Sequence, residues 1–120
     1  MAISGLGCDI IEIERLKKSY QSTPRFAEKI YTPRELDYCC SHKAKFQHLA
    51  GRFAAKEAIG KAIGCPLTWL EVEIINNELG KPSVVLHGEA KEIAGNRKIT
   101  ITISHAQDYA MAVAVMEDDI

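Results

Sequence analysis

Apolar and polar residues alternate along residues 2–13, and the β-branched Ile10, Ile11 and Ile13 reinforce that period of two, which predicts a strand. Around "ERLKKSY" the spacing turns helical. "STPRFAEKIY" restarts a short helix with Thr23 as its cap and Pro24 at the first position. "TPRE", Thr32 to Glu35, holds the whole capping-box signature: a hydroxyl, a first-turn proline and a glutamate three residues after the threonine. Helical residues run from there to about His42, and a long helix covers Lys45 to Ile63, closed by Gly64 with Pro66 beyond it. After Trp69 the period returns to two: "EVEIIN" alternates, "NNELGKP" has turn chemistry and "SVVL" is a short strand. "GEAKEIAG" reads as a short helix, and "KITITIS" and "YAMAVAVM" as strands joined by "HAQD".

Helices gathered in the first half and strands in the second predict an α+β fold, with helices packed on a mainly antiparallel sheet. No repeat, low-complexity tract or Pro/Gly/Ser linker interrupts the 120 residues, so 1–120 reads as one domain. A composition 47% hydrophobic and 26% charged suits a globular protein able to bury a core. No apolar run approaches the ~20 residues of a membrane helix, and "MAISGLGCD" lacks the basic start and apolar centre of a secretory signal. A cytoplasmic location is therefore expected. Cys8, Cys39, Cys40 and Cys65 have neither zinc-ligand spacing nor the density of a disulfide scaffold, and read as reduced thiols, mostly packing residues.

The net charge of -1 conceals an asymmetry: residues 1–64 hold 11 Lys and Arg against 7 Asp and Glu, residues 65–120 hold 4 against 9. A basic first half suits a phosphate-rich small ligand or an acidic protein partner, while the balanced whole argues against nucleic acid. Solvated helix faces explain the charge alone equally well.

Three stretches carry candidate chemistry. In "FAAKEAIGKAIG", residues 53–64, Ala54, Ala55, Ala58, Ile59, Ala62 and Ile63 share one side of a helix, with Glu57 and Lys61 together at its edge. A surface i, i+4 ion pair accounts for those two charges, but Gly60 costs a mid-helix position about 1 kcal/mol and implies close approach of another backbone or a ligand. Asp9 is a misfit in the strand "GLGCDIIEI", with Gly5 and Gly7 on its own face. It is either a solvated strand end or one of two carboxylates around a hard cation such as Mg2+. In "TITISHAQD", Ser104 and His105 end a strand and point to opposite faces, so they are not a nucleophile pair. Phosphate-loop, dinucleotide and H-E-x-x-H zinc motifs are absent from the sequence.

In combination, "GLGCDIIEIERL", "RFAEKIYTPREL", "LAGRFAAKEAIGKAIG", "WLEVEI" with "GKP", and "ISHAQDYAMAVAV" resemble the 4'-phosphopantetheinyl transferase superfamily, specifically its small bacterial holo-acyl-carrier-protein synthases. The resemblance spans nearly the whole chain. It implies transfer of the phosphopantetheine arm of coenzyme A to a serine of apo acyl carrier protein, in fatty acid biosynthesis, with release of adenosine 3',5'-bisphosphate. By the same resemblance Asp9 and Glu57 bind Mg2+, Lys61 holds a phosphate and stabilises charge, and Lys56 contacts another phosphate or lies at the surface. His105 binds the nucleotide or phosphate end of coenzyme A, with Thr102 standing where the family's signature has a first serine, and Arg52 is a candidate phosphate contact. Asp9, Glu57 and a metal-bound water remain alternatives for the general base.

Acyl carrier proteins are acidic, so the basic half acquires a partner: Arg15 and Arg25 match family positions that face the carrier, with Lys17, Lys18 and Lys29 as weaker candidates. The resemblance further implies a homotrimer with active sites between subunits. One departure is the short "GCPLTW" where family members often carry a longer glycine-rich loop, which bears on contacts to the coenzyme. The rival readings are a non-catalytic module that binds coenzyme A or a carrier protein, and a metal-dependent phosphohydrolase. The former has no need of a costly carboxylate pair, and the latter has no need of a basic docking surface.

Overall fold

The structure is a computed structural model that describes residues 2–118. Its elements run β1 (Ile3–Glu12), α1 (Ile13–Ser22), α2 (Phe26–Ile30), α3 (Pro33–Cys40) and α4 (Lys45–Ile63), then a single 3-10 turn (Trp69–Glu71). β2 (Val72–Asn76), β3 (Pro82–Leu86), α5 (Gly88–Ala94), β4 (Lys98–His105) and β5 (Tyr109–Glu117) complete the order. The fold is α+β, as the segregation of periods predicts. The hairpin of β4 and β5 is extended by β1, giving an antiparallel sheet in the order β1-β5-β4, while β2 and β3 form a separate antiparallel pair. The first strand thus crosses the whole sequence to find its partner, a pairing that alternation along one segment cannot specify.

α4 is the central element. Residues from all around it are buried, among them Leu49, Ala50, Arg52, Ala55, Lys56, Ala58 and Ile59, because β1, β5 and β4 cover one side and α1, α3 and β2 others. Glycine makes that packing possible. A Cβ on Gly5 would lie 2.0 Å from the Ala62 carbonyl oxygen and one on Gly7 2.0 Å from that of Ala58, so β1 and α4 touch backbone to backbone. Gly60, by contrast, has only the Cys65 carbonyl oxygen at 3.5 Å from such a Cβ, an ordinary contact. Close approach of backbone to backbone thus occurs at Gly5 and Gly7, while Gly60 lines a cleft and keeps the ligand alternative.

The capping box forms as the sequence implies: Glu35 N donates to Thr32 Oγ1 at 3.3 Å and Thr32 N donates to Glu35 Oε1 at 2.8 Å. The start expected at Pro24 does not. α2 begins at Phe26 behind Arg25, whose φ of 60° is left-handed, and Thr23 instead closes α1, its N–H donating to the Ser19 carbonyl.

The sheet has two unlike faces. Gly5, Gly7 and Ile11 of β1 and Ala110, Ala112 and Ala114 of β5 face α4. On the reverse face Leu6 is 68% exposed, Ile10 63% and Met111 40%, with Cys8 exposed between the first two. Among the described residues no helix is long and apolar enough to cross a membrane.

Candidate active site

Asp9 lies on the face of β1 that α4 covers, two residues beyond Gly7, where the small residues end and the helix leaves room for a carboxylate. Lys61, projecting from α4, donates to the Cys8 carbonyl at 2.9 Å and lies 3.4 Å from Asp9 Oδ1. It therefore reaches across to the strand instead of back along its own helix to Glu57. Glu57, one turn before Lys61, lines a cleft of about 290 Å³ together with Asp9, Arg15, Ser19, Phe26 and Phe53. The two carboxylates predicted to act together do share one cavity.

Glu57 also borders a larger cleft of about 600 Å³, walled by Gly60, Lys61, Cys65, Pro66, Leu67 and Trp69. The short loop after α4 forms its far side, and the absent side chain at Gly60 opens it. The ring of Phe53 stacks on that of Trp69 with centroids 4.8 Å apart, near the ridge dividing the two clefts.

Lys56 is buried, at the base of the larger cleft that it helps to line. Its Nζ donates to the Ile30 carbonyl at 2.6 Å, to Glu35 Oε1 at 2.7 Å and to the Trp69 carbonyl at 3.0 Å, which uses all three hydrogens of the ammonium. Burial lowers its pKa, with Glu35 opposing. Both Glu35 oxygens are engaged as well, since Ile74 N donates to Oε2 at 2.9 Å. Their pairing ties α3, α4 and β2 together beneath the site, and its only sequence signal was the glutamate of the capping box.

Arg52 and His105 belong to another cavity, of about 120 Å³, lined also by Tyr38, His48, Asn76 and Pro82. Arg52 is 2% exposed, lies over the Tyr38 ring at 4.4 Å and donates through Nη2 to Asn76, while its Nε has no partner. Arg52 and Glu57 are five residues apart on α4, about 140° around the axis, so the helix itself separates them. Asp9 and His105 sit on opposite edge strands of the sheet. One chain does not bring the two clusters together.

The expected carrier contacts divide too. Arg15 lines the Asp9 cleft, whereas Arg25 stands on the α1–α2 turn, its side chain 73% exposed and paired with Glu28 at 3.1 Å. Of the cysteines, Cys39 is buried and its thiol is pushed up to about 12 by burial, while Cys8 and Cys40 are exposed, so packing accounts for fewer of them than expected.

Residues 5–114 match the model of the 4'-phosphopantetheinyl transferase superfamily. The chain is 46% identical to a holo-[acyl-carrier-protein] synthase of Caldanaerobacter subterraneus subsp. tengcongensis over 92% of this chain and 91% of that one. It is 43% identical to one of Clostridium novyi over 98% and 89%. Among solved structures, a holo-(acyl-carrier-protein) synthase from Bacillus anthracis in complex with CoA (3',5'-ADP) superposes with a TM-score of 0.83 at 33% identity, covering 98% of both chains. The Helicobacter pylori synthase in complex with coenzyme A gives 0.81 at 29% identity, covering 93% of this chain and 99% of that one.

Proposed function

The chain belongs to the 4'-phosphopantetheinyl transferase superfamily, and on that premise we propose that it transfers the 4'-phosphopantetheine group of coenzyme A to a serine of an apo acyl carrier protein. The products are holo acyl carrier protein and adenosine 3',5'-bisphosphate, and the role is in fatty acid biosynthesis in the cytoplasm. The observation that carries this reading is the meeting of Asp9 from β1 and Glu57 from α4 at one cleft, with Lys61 held against Asp9.

Two carboxylates at one opening suit Mg2+, which takes one or two protein carboxylates and fills its remaining positions with water and substrate phosphates. Asp9 and Glu57 would hold it, and it would supply charge neutralisation at the coenzyme A diphosphate. Lys61, its side chain 55% exposed, extends its ammonium to a phosphate oxygen at the rim. The larger cleft, with Gly60 for a floor and Pro66, Leu67 and Trp69 for walls, accepts the slender pantetheine arm. Arg15 at the cleft mouth and Arg25 on the adjoining turn meet the acidic carrier and steer its approach.

Arg52 and His105 receive the nucleotide end of coenzyme A, and since α4 and the sheet separate them from Asp9 within one chain, they act on the coenzyme seated at a neighbouring copy. The apolar reverse face, with Leu6, Ile10 and Met111 exposed, supports the homotrimer this requires. Residues 1–120 then work as one domain per subunit.

The test is to incubate the protein with coenzyme A, Mg2+ and apo acyl carrier protein and weigh the intact carrier with and without chelator. A chelator-sensitive gain of one phosphopantetheine group is the expected result. An unmodified carrier with coenzyme A still bound to the protein overturns the transferase reading.

A further inference from the structure

The cavity around Arg52 holds an unusual concentration of imidazole. The His48 ring, one turn before Arg52 on α4, has its centroid 4.4 Å from that of His42 and 6.4 Å from that of His105. Tyr38 meets His48 edge-on at 5.6 Å while its ring lies beneath the Arg52 guanidinium. The titratable and charged groups that close on His48 are thus Tyr38 from α3, His42 from the α3–α4 connection, Arg52 from α4 and His105 from β4. Asn76, Gly80 and Pro82, on the side of the β2–β3 hairpin, add nothing that titrates, and among the described residues no carboxylate lines the cavity.

Such a lining has no internal counter-charge. The buried guanidinium keeps one N–H unpartnered, and each imidazole that gains a proton adds a cation beside others. Burial of His48, followed by the nearness of His42, Arg52 and His105, accordingly lowers its pKa below the ordinary histidine value. His48 favours neutrality until an anion enters.

Resting on the reading that the nucleotide end of coenzyme A occupies this cavity, we propose that phosphate binding there is coupled to uptake of a proton by His48, whose ring neighbours those of His42 and His105 beside the Arg52 guanidinium. A phosphate dianion turns the local field from repelling a further proton to attracting one, so an imidazole neutral in the free protein becomes imidazolium in the complex. The sign follows from linkage. Below the free-state pKa the proton is already present, above the bound-state pKa it is not retained, and between the two affinity falls as pH rises. His48 is a positioning residue of charge in this scheme, acting on the ligand through the field it shares with Arg52 and His105.

Calorimetric titration of coenzyme A into the intact protein with Mg2+, in phosphate-free buffers of differing ionisation enthalpy, reads the proton directly. Net uptake of about half a proton per bound coenzyme A near pH 7.5 is expected, with affinity falling roughly threefold per pH unit. The ligand's phosphate monoester, with its second pKa near 6, gives up protons on binding as a dianion and so contributes with the opposite sign. His48→Gln and His48→Phe, which fill the site with different shapes, both reduce the uptake and flatten the slope. Zero uptake, or unchanged uptake in both variants, overturns the coupling but leaves the nucleotide assignment standing if His105→Ala still weakens coenzyme A binding about tenfold. Unchanged coenzyme A affinity in His105→Ala overturns that assignment and the coupling with it.

Discussion

Lys61 Nζ lies 3.4 Å from Asp9 Oδ1 and donates to the Cys8 carbonyl at 2.9 Å, so a side chain of α4 clasps the carboxylate of β1 at the mouth of the proposed active site. With more than half of Lys61 exposed, the pair contributes only ~0–1 kcal/mol to stability. Under the proposed function its consequence lies in catalysis. Lys61→Met is expected to shift the melting temperature by no more than about 4 °C while lowering kcat by about 100–1000-fold, the effect of one lost charge-stabilising donor. Glu57→Gln abolishes Mg2+-dependent transfer with circular dichroism unchanged, and undiminished turnover in that variant sinks the site assignment.

Lys56 behaves in the opposite way. Lys56→Met strands Glu35 in the core without its ion-pair partner and costs about 3–5 kcal/mol in a urea titration. The fraction that remains folded keeps the native KM for coenzyme A, which a phosphate-binding lysine does not allow.

Two glycine substitutions separate packing from ligand space. Gly7→Ala drives a methyl into the Ala58 carbonyl, and since neither backbone can yield cheaply it destabilises by about 1–3 kcal/mol or more and displaces Asp9 from Glu57. Gly60→Ala finds room and gains up to about 1 kcal/mol of helix propensity. Its methyl enters the larger cleft, so the KM for coenzyme A rises although the melting temperature does not fall. Paired thermal melts and kinetics check both halves.

Acid stability depends on Glu73. Bonds from Arg34 first, then Thr32 and His87, overcome the opposing effect of burial and pull its carboxyl down to about 2. A depressed folded-state value means stability present above the unfolded carboxylate range, near pH 4.5, and lost as pH falls towards 2. The contribution is about 1–3 kcal/mol, held down by the exposure of Arg34. Urea midpoints measured from pH 6 to pH 2.5 should fall less steeply in Glu73→Gln than in the native protein.

Assembly is tested by mixing. Leu6→Glu with Ile10→Lys is expected to yield monomers in sedimentation and to abolish transfer. Co-refolding inactive Glu57→Gln with His105→Ala, assayed at a coenzyme A concentration too low to saturate His105→Ala, restores up to about a quarter of the sites to native affinity by random pairing if each site draws on two copies, and none if it lies within one chain.

Much of this protein is legible locally. The capping box of Thr32 and Glu35, the end of α4 at Gly64 and the β4–β5 hairpin all follow from interactions between near neighbours in sequence, and each forms as the residues imply. Asp9, Glu57 and His105 stand out because a carboxylate in a strand, charges in an alanine-rich helix and a histidine at a strand end violate the local pattern. Their anomaly is visible before any partner is known. Thr23 shows the limit: a cap residue before proline reads as a helix start, yet the same threonine closes the preceding helix.

What the sequence determined by itself is therefore the element order, the α+β class and the candidate residues, since propensity, capping and turn chemistry act over a few residues. Tertiary structure decided which of those candidates meet. Lys56 and Lys61 are chemically identical and five positions apart on one helix. A rotation of about 140° sends the first into a buried cage around Glu35 and the second to Asp9. The same rotation divides Arg52 from Glu57, and the pairing of β1 with β5 leaves Leu6 and Ile10 without cover. Each of these outcomes depends on contacts between residues distant in sequence, and local preference carries no record of them.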